Sequence, residues 1–172
     1  FKTAMKTGGT AAIAGLAYKA WSEWQNSRAG DTAQLPPPAA DAEGTAFLPA
    51  PKPQRDAASL AILTAMIAAA KADGHIDAVE QQRIFAKLDE QNLDSEAKAF
   101  LMDELRKPLD VDAIVRLAAT PELAVEVYAA SCMAIDPDDA AEQAYLAMLA
   151  ARLKLMPELK LGIEKEVATL KS

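Results

Sequence analysis

The feature that most constrains this chain is a short acidic motif that occurs twice. Asp77-Ala-Val-Glu-Gln81 returns 62 residues later as Asp139-Ala-Ala-Glu-Gln143, and the same shift superposes Ala68 on Ala130 and Ala72 on Ala134. An Ala-rich apolar run precedes each copy and a mixed apolar and charged run follows it. That is the pattern of a helix, an acidic turn and a second helix. Asp77 suits an N-cap, and Glu80 three residues on completes a capping box that satisfies two orphan amides. Gly74 supplies the positive φ that a sharp helix exit tends to need. Two such helical hairpins packed about a pseudo-two-fold axis predict an all-α bundle.

The other segments read the same way. Residues 60–72 place Leu60, Leu63, Ile67 and Ala70 on one stripe, and 78–91 present Ile84, Phe85 and Leu88. Asp94 or Ser95 caps a third helix that Pro108 stops, and Asp110 or Asp112 opens a short fourth. Thr120-Pro121-Glu122 is a cap, a first-turn proline and an acidic first turn, so a helix runs from there to Ala134. A further helix spans 140–155, and one carrying Leu159, Ile163, Val167 and Leu170 follows Pro157. No alternating strand pattern interrupts this. Half the residues are hydrophobic but only 5% are aromatic, a composition that suits closely packed helices rather than a sheet.

The chain divides into three parts. Residues 1–26 form an apolar helix with Tyr18, Trp21 and Trp24 on one face, fit either for a membrane–water interface or for packing on the domain. Residues 27–54 are a Pro-rich linker in extended form, with Phe47 as an apolar residue able to dock. Residues 55–172 are the helical domain. No stretch reaches the roughly 18 to 20 apolar residues of a membrane span. The net charge of −7 argues against nucleic acid as a partner, because phosphate contacts need clustered Lys and Arg. Cys132 is the single cysteine and lies in an apolar helical run, which predicts an inert buried thiol.

Asp73-Gly74-His75-Ile76-Asp77-Ala-Val-Glu80 matches the exit half of an EF-hand loop, while Ala69 and Lys71 occupy the first and third ligand positions. One turn therefore offers about three carboxylates, and a hard-cation site needs Asp136, Asp138, Asp139 or Glu142 from the second. Helix capping explains the same residues without any metal. His75 has no second imidazole and no neighbouring nucleophile, so it reads as a solvent-facing loop residue.

Ala-Lys-Ala-Asp-Gly-His-Ile-Asp-x-x-Glu, the later Asp-Pro-x-x-x-x-Glu-x-x-Tyr-Leu and the N-terminal Leu-Ala-Tyr-Lys-Ala-Trp resemble the YebE-type DUF533 branch of the TerB-like (tellurite-resistance) proteins. The resemblance implies a TerB-like bundle of about seven helices. It also implies an acidic metal-binding patch, carried here onto Asp73, Asp77, Glu80, Asp136, Asp139 and Glu142, and a bacterial inner-membrane location with the domain on the cytoplasmic side. Ile135 stands where the first motif has Asp73, so the two turns are not equivalent. The expectation is a non-enzymatic, membrane-tethered module that binds a divalent cation (Ca²⁺, Mg²⁺ or Zn²⁺) or a protein partner through its acidic turns. A purely structural interaction domain is the alternative, and a metal-dependent hydrolase the remote one, since it needs a concave pocket with an open coordination position.

Overall fold

A computed structural model describes residues 9–29, 45–47, 52–72, 95–135 and 140–171. They form seven helices and, among the described residues, no strand. The helices are α1 (Gly9–Ala29), α2 (Lys52–Ala70), α3 (Ser95–Arg106), α4 (Val111–Leu117), α5 (Pro121–Ala134), α6 (Ala140–Arg152) and α7 (Pro157–Lys171). The all-helical bundle expected from the sequence is the fold observed. Residues 73–94, which carry the expected helix 78–91, lie outside the described residues.

Helix α5 is the centre of the bundle. Thr120 caps it, its hydroxyl accepting the Leu123 amide at 3.2 Å, and Pro121 occupies the first turn. Residues 124–133 are buried without a break, because α1, α2, α6 and α7 all pack around this helix. Alanines make the closeness: Ala61, Ala65 and Ala69 of α2 and Ala129 and Ala130 of α5 are buried along the most extensive helix pair in the fold. The single stripe expected on α2 is corrected here. Of the expected stripe Ile67 is buried, Leu63 and Ala70 are half-buried and Leu60 is 38% exposed, while Ala61, Ile62, Ala65, Met66, Ala68 and Ala69 off it are buried as well. A helix apolar on every side is sandwiched, with α5 against it and α3, α4 and α6 also in contact.

The 62-residue shift also relates helix starts and buried runs among the described residues. Helix α3 starts at Ser95 and α7 at Pro157, and the buried run 64–69 of α2 corresponds to 126–131 of α5. Each unit also closes a helix end with a lysine. Lys71, at the end of α2, donates to the carbonyls of Glu104 and, at 2.8 Å, Lys107 where α3 ends. Lys171, at the end of α7, donates to Cys132 O at 2.8 Å and to Ile135 O where α5 ends. Orphan carbonyls at a helix C-terminus favour such a cation.

Helix α1 belongs to the same core. Ile13, Ala14, Leu16, Ala17 and Ala20 are buried against α5 and α7, and Lys19 pairs with Glu166 at 2.7 Å. Tyr18, Trp21 and Trp24 are half-buried and pack on this core. Phe47 docks edge-on beside them, its ring centroid 5.7 Å from Tyr18 and 6.1 Å from Trp21. Of the two roles the sequence left open for these aromatics, packing on protein is the one seen. No helix among the described residues is long and apolar enough to cross a membrane.

Local signals set most boundaries. Asp110 caps α4, accepting the Ala113 amide at 2.9 Å. Helix α2 begins at Lys52, inside the Pro-rich stretch, because a first-turn proline such as Pro53 gives up an amide that has no helical partner anyway. Helix α6 stops at Arg152, short of the expected Leu155, in a Schellman turn: Leu155 N–H reaches Ala150 O and Lys154 N–H reaches Ala151 O, both at 3.1 Å. Lys154 therefore takes a left-handed φ of 56°.

Candidate functional site

Helices α5, α6 and α7 enclose a groove of about 420 Å³. Leu146, Val167 and Ile135 give it apolar walls, and Cys132, Glu164, Lys160 and Lys171 line the rest. Tyr128 Oη donates to Glu164 Oε1 at 2.7 Å, and Lys160 Nζ donates to the same oxygen at 2.7 Å from one turn earlier on α7. Lys171 is held on the α5 carbonyls described above. Polar side chains sunk between helices carry a desolvation cost that only complete pairing offsets.

These groups sit as neutral donors or as paired ions. Burial, above all, drives the Tyr128 phenol far above its ordinary range, with Cys132 and the Glu164 carboxylate adding to it. Burial likewise pushes the Cys132 thiol up to about 12, again with help from Glu164. The inert buried thiol expected from the sequence is what the structure holds. A thiol that keeps its proton is a poor nucleophile and a poor metal ligand.

The repeat supplies an internal control. At the positions of Tyr128, Cys132, Glu164 and Lys171, the first unit carries Met66, Ala70, Met102 and Leu109. At Lys160 and Gln143 the first unit keeps Lys98 and Gln81, and at Ile135 it has Asp73, so the second unit is set apart by Tyr128, Cys132, Glu164 and Lys171 rather than by polarity as such.

Of the six carboxylates expected at a metal site, Glu142 alone is described. It is half-buried in the first turn of α6, next to Gln143 of the groove. Asp73, Asp77, Glu80, Asp136 and Asp139 lie outside the described residues, as does His75. Among the described residues no group of three or more His, Cys, Asp or Glu side chains could hold a metal ion. Asp136 follows Ile135 and Asp139 precedes Ala140 in the chain, so residues 136–139 connect α5 to α6, whose Ile135 and Gln143 line the groove.

A second polar feature lies on α5. Glu126 is 1% exposed and its Oε1 has no hydrogen-bond partner. Burial, with a smaller contribution from the Glu122 carboxylate one turn away, pushes its pKa up to about 8. Tyr145 Oη is also unpartnered, and burial pushes its phenol up to about 12. Sequence reading missed Glu126 and the Tyr128–Glu164–Lys160 cluster. The signal was available in the repeat, where Thr64, Met66 and Met102 of one unit occupy the positions of Glu126, Tyr128 and Glu164 of the other.

Comparison with known proteins places the chain. A relative from Yersinia enterocolitica, described as an uncharacterized protein in the ampR 5' region, is 31% identical over 106 residues, covering 62% of this chain and 76% of the relative. No solved structure matches the chain. The model of the family described as "Protein of unknown function (DUF533)" matches residues 1–167, and the chain belongs to that family.

Proposed function

We propose that this protein is a non-enzymatic binding module whose contact surface is the second acidic corner together with the groove between α5, α6 and α7. The observation that carries this is the Tyr128–Glu164–Lys160 cluster beside the groove, where the first unit has Met66 and Met102 in place of Tyr128 and Glu164, and where the chain beyond Ile135 carries Asp136, Asp139 and Glu142. Binding rather than catalysis fits the chemistry of that lining. Cys132 and Tyr128 keep their protons, and Glu164 is occupied by Tyr128 and Lys160, leaving neither an activated nucleophile nor an unengaged base there. The ligand class is a divalent cation, or a protein partner bound through the same carboxylates. A cation draws on Asp136, Asp139 and Glu142, with Asp73, Asp77 and Glu80 from the first turn as further oxygens. The TerB-like resemblance supports the same residues.

The unit swap Tyr128→Met/Glu164→Met, which leaves Lys171 on the α5 carbonyls, tests whether the polar lining serves function or fold. If the lining serves binding, the variant melts within a few degrees of the wild type or higher, since well-packed apolar groups commonly replace buried ion pairs at no loss. Collapse of cooperative unfolding would assign these residues to stability instead.

A further inference from the structure

A second site lies away from the groove. Where α1 ends, residues 45–47 and the first turn of α5 frame an open cleft of about 340 Å³. Its walls are the rings of Tyr18, Trp21 and Phe47, and its polar rim is Gln25, Asn26 and Glu122. Phe47 is 4% exposed and meets both other rings edge-on, so the aromatic wall is fixed in place, and Ser22 is tied back to Tyr18 O at 2.6 Å. Glu122 has no ion-pair partner among the described residues. The Glu126 carboxyl, buried one turn along α5, supplies no countercharge.

Aromatic faces carry negative quadrupoles, and a carboxylate beside them makes the cleft a cation site. The rim selects among cations. A quaternary ammonium has no donors for the Gln25 and Asn26 amide oxygens, and a lysine ammonium is compact and strongly hydrated. A guanidinium is flat enough to stack on the rings and has donors around its edge for the carboxylate and the amides. The cleft opens at the surface, which suits a side chain presented by another protein, and the chain's net charge of −7 favours the approach of a basic one.

We infer that the Tyr18–Trp21–Phe47 cleft, with Glu122 at its rim, receives an arginine side chain of a partner protein. This stands independently of the groove and its acidic corner. The test is a titration of the intact chain with a short acetylated alanine peptide carrying one arginine, read by tryptophan fluorescence and calorimetry. Parallel titrations use the same peptide with lysine or with citrulline, the neutral isostere. The arginine peptide is expected to saturate with a Kd of about a millimolar, with lysine and citrulline at least about tenfold weaker. Glu122→Gln should weaken arginine binding about tenfold while leaving the melting curve in place, and Trp21→Phe should weaken it less. Equal binding of citrulline, an unchanged Kd in Glu122→Gln, or no saturation with arginine would each overturn the assignment.

Discussion

Glu126 offers the sharpest physical prediction. A carboxyl of ordinary pKa 4.5 in the unfolded chain has a pKa of about 8 in the fold, because ionising it would leave a charge in the core with an unpartnered oxygen. Between those two values the folded state holds a proton that the unfolded state has released. Stability must therefore fall as pH rises from about 4.5 to about 8, and level off above. At about 1.4 kcal/mol per pKa unit the full loss is roughly 5 kcal/mol, an upper bound because water reaching an ionised core carboxylate softens the penalty. We expect a loss of roughly 2 to 5 kcal/mol, which for a chain of this length lowers Tm by about 5 to 15 °C. The assay is thermal and urea unfolding at pH 5, 7 and 9 for the wild type and for Glu126→Gln. The amide keeps the shape and cannot ionise, so the difference between the two proteins isolates this group from every other titration. Glu126→Gln should match the wild type at pH 5 and exceed it by roughly 2 to 5 kcal/mol at pH 9. Parallel pH profiles for the two proteins would refute the reasoning.

Three further substitutions probe the frame. Ala65→Leu forces extra carbons into the packed core around α2, where Ala65 is fully buried, and should cost about 1 to 3 kcal/mol or more in urea unfolding. Lys171→Met keeps the stem but removes the donors to Cys132 O and Ile135 O, so a loss of about 1 to 2 kcal/mol is expected, with faster amide exchange at the end of α5. Lys154→Gly relieves a side chain from a left-handed turn and should raise stability by up to about 1 kcal/mol.

Much of the fold was legible because helix ends are local chemistry. Thr120-Pro121-Glu122, Asp110 and Pro157 each mark a boundary through a single capping or steric rule, and the helices start where those residues stand. The matching buried runs 64–69 and 126–131 were legible because burial follows the hydrophobic pattern, and that pattern repeats at a fixed shift. The role of α1 was not legible. A Gly- and Ala-rich face with aromatics at one end serves equally for lipid contact and for close helix packing, and the packing of Ala14, Ala17 and Ala20 on α5 and α7 is visible only in the structure. The α2 stripe held only at Ile67 for a related reason, since an alanine-rich helix has no polar face to reveal its orientation. Of the candidate site, the acidic spacing was visible, while Glu126 was hidden inside a helix that otherwise reads as core. Periodicity marks positions as buried; it does not say which buried polar groups find partners.

The most direct test of the binding account is calorimetric titration of the intact chain with Ca²⁺, Mg²⁺ and Zn²⁺, beside the variant Asp139→Asn/Glu142→Gln. One of the ions should give saturable heat with a Kd of about 0.1 to 1 mM, the range of modest oxygen-ligand sites, and the variant should lose it while melting at nearly the wild-type temperature. Heat that never saturates into the millimolar range, or binding that survives loss of both carboxylates, would contradict a cation at the second acidic corner.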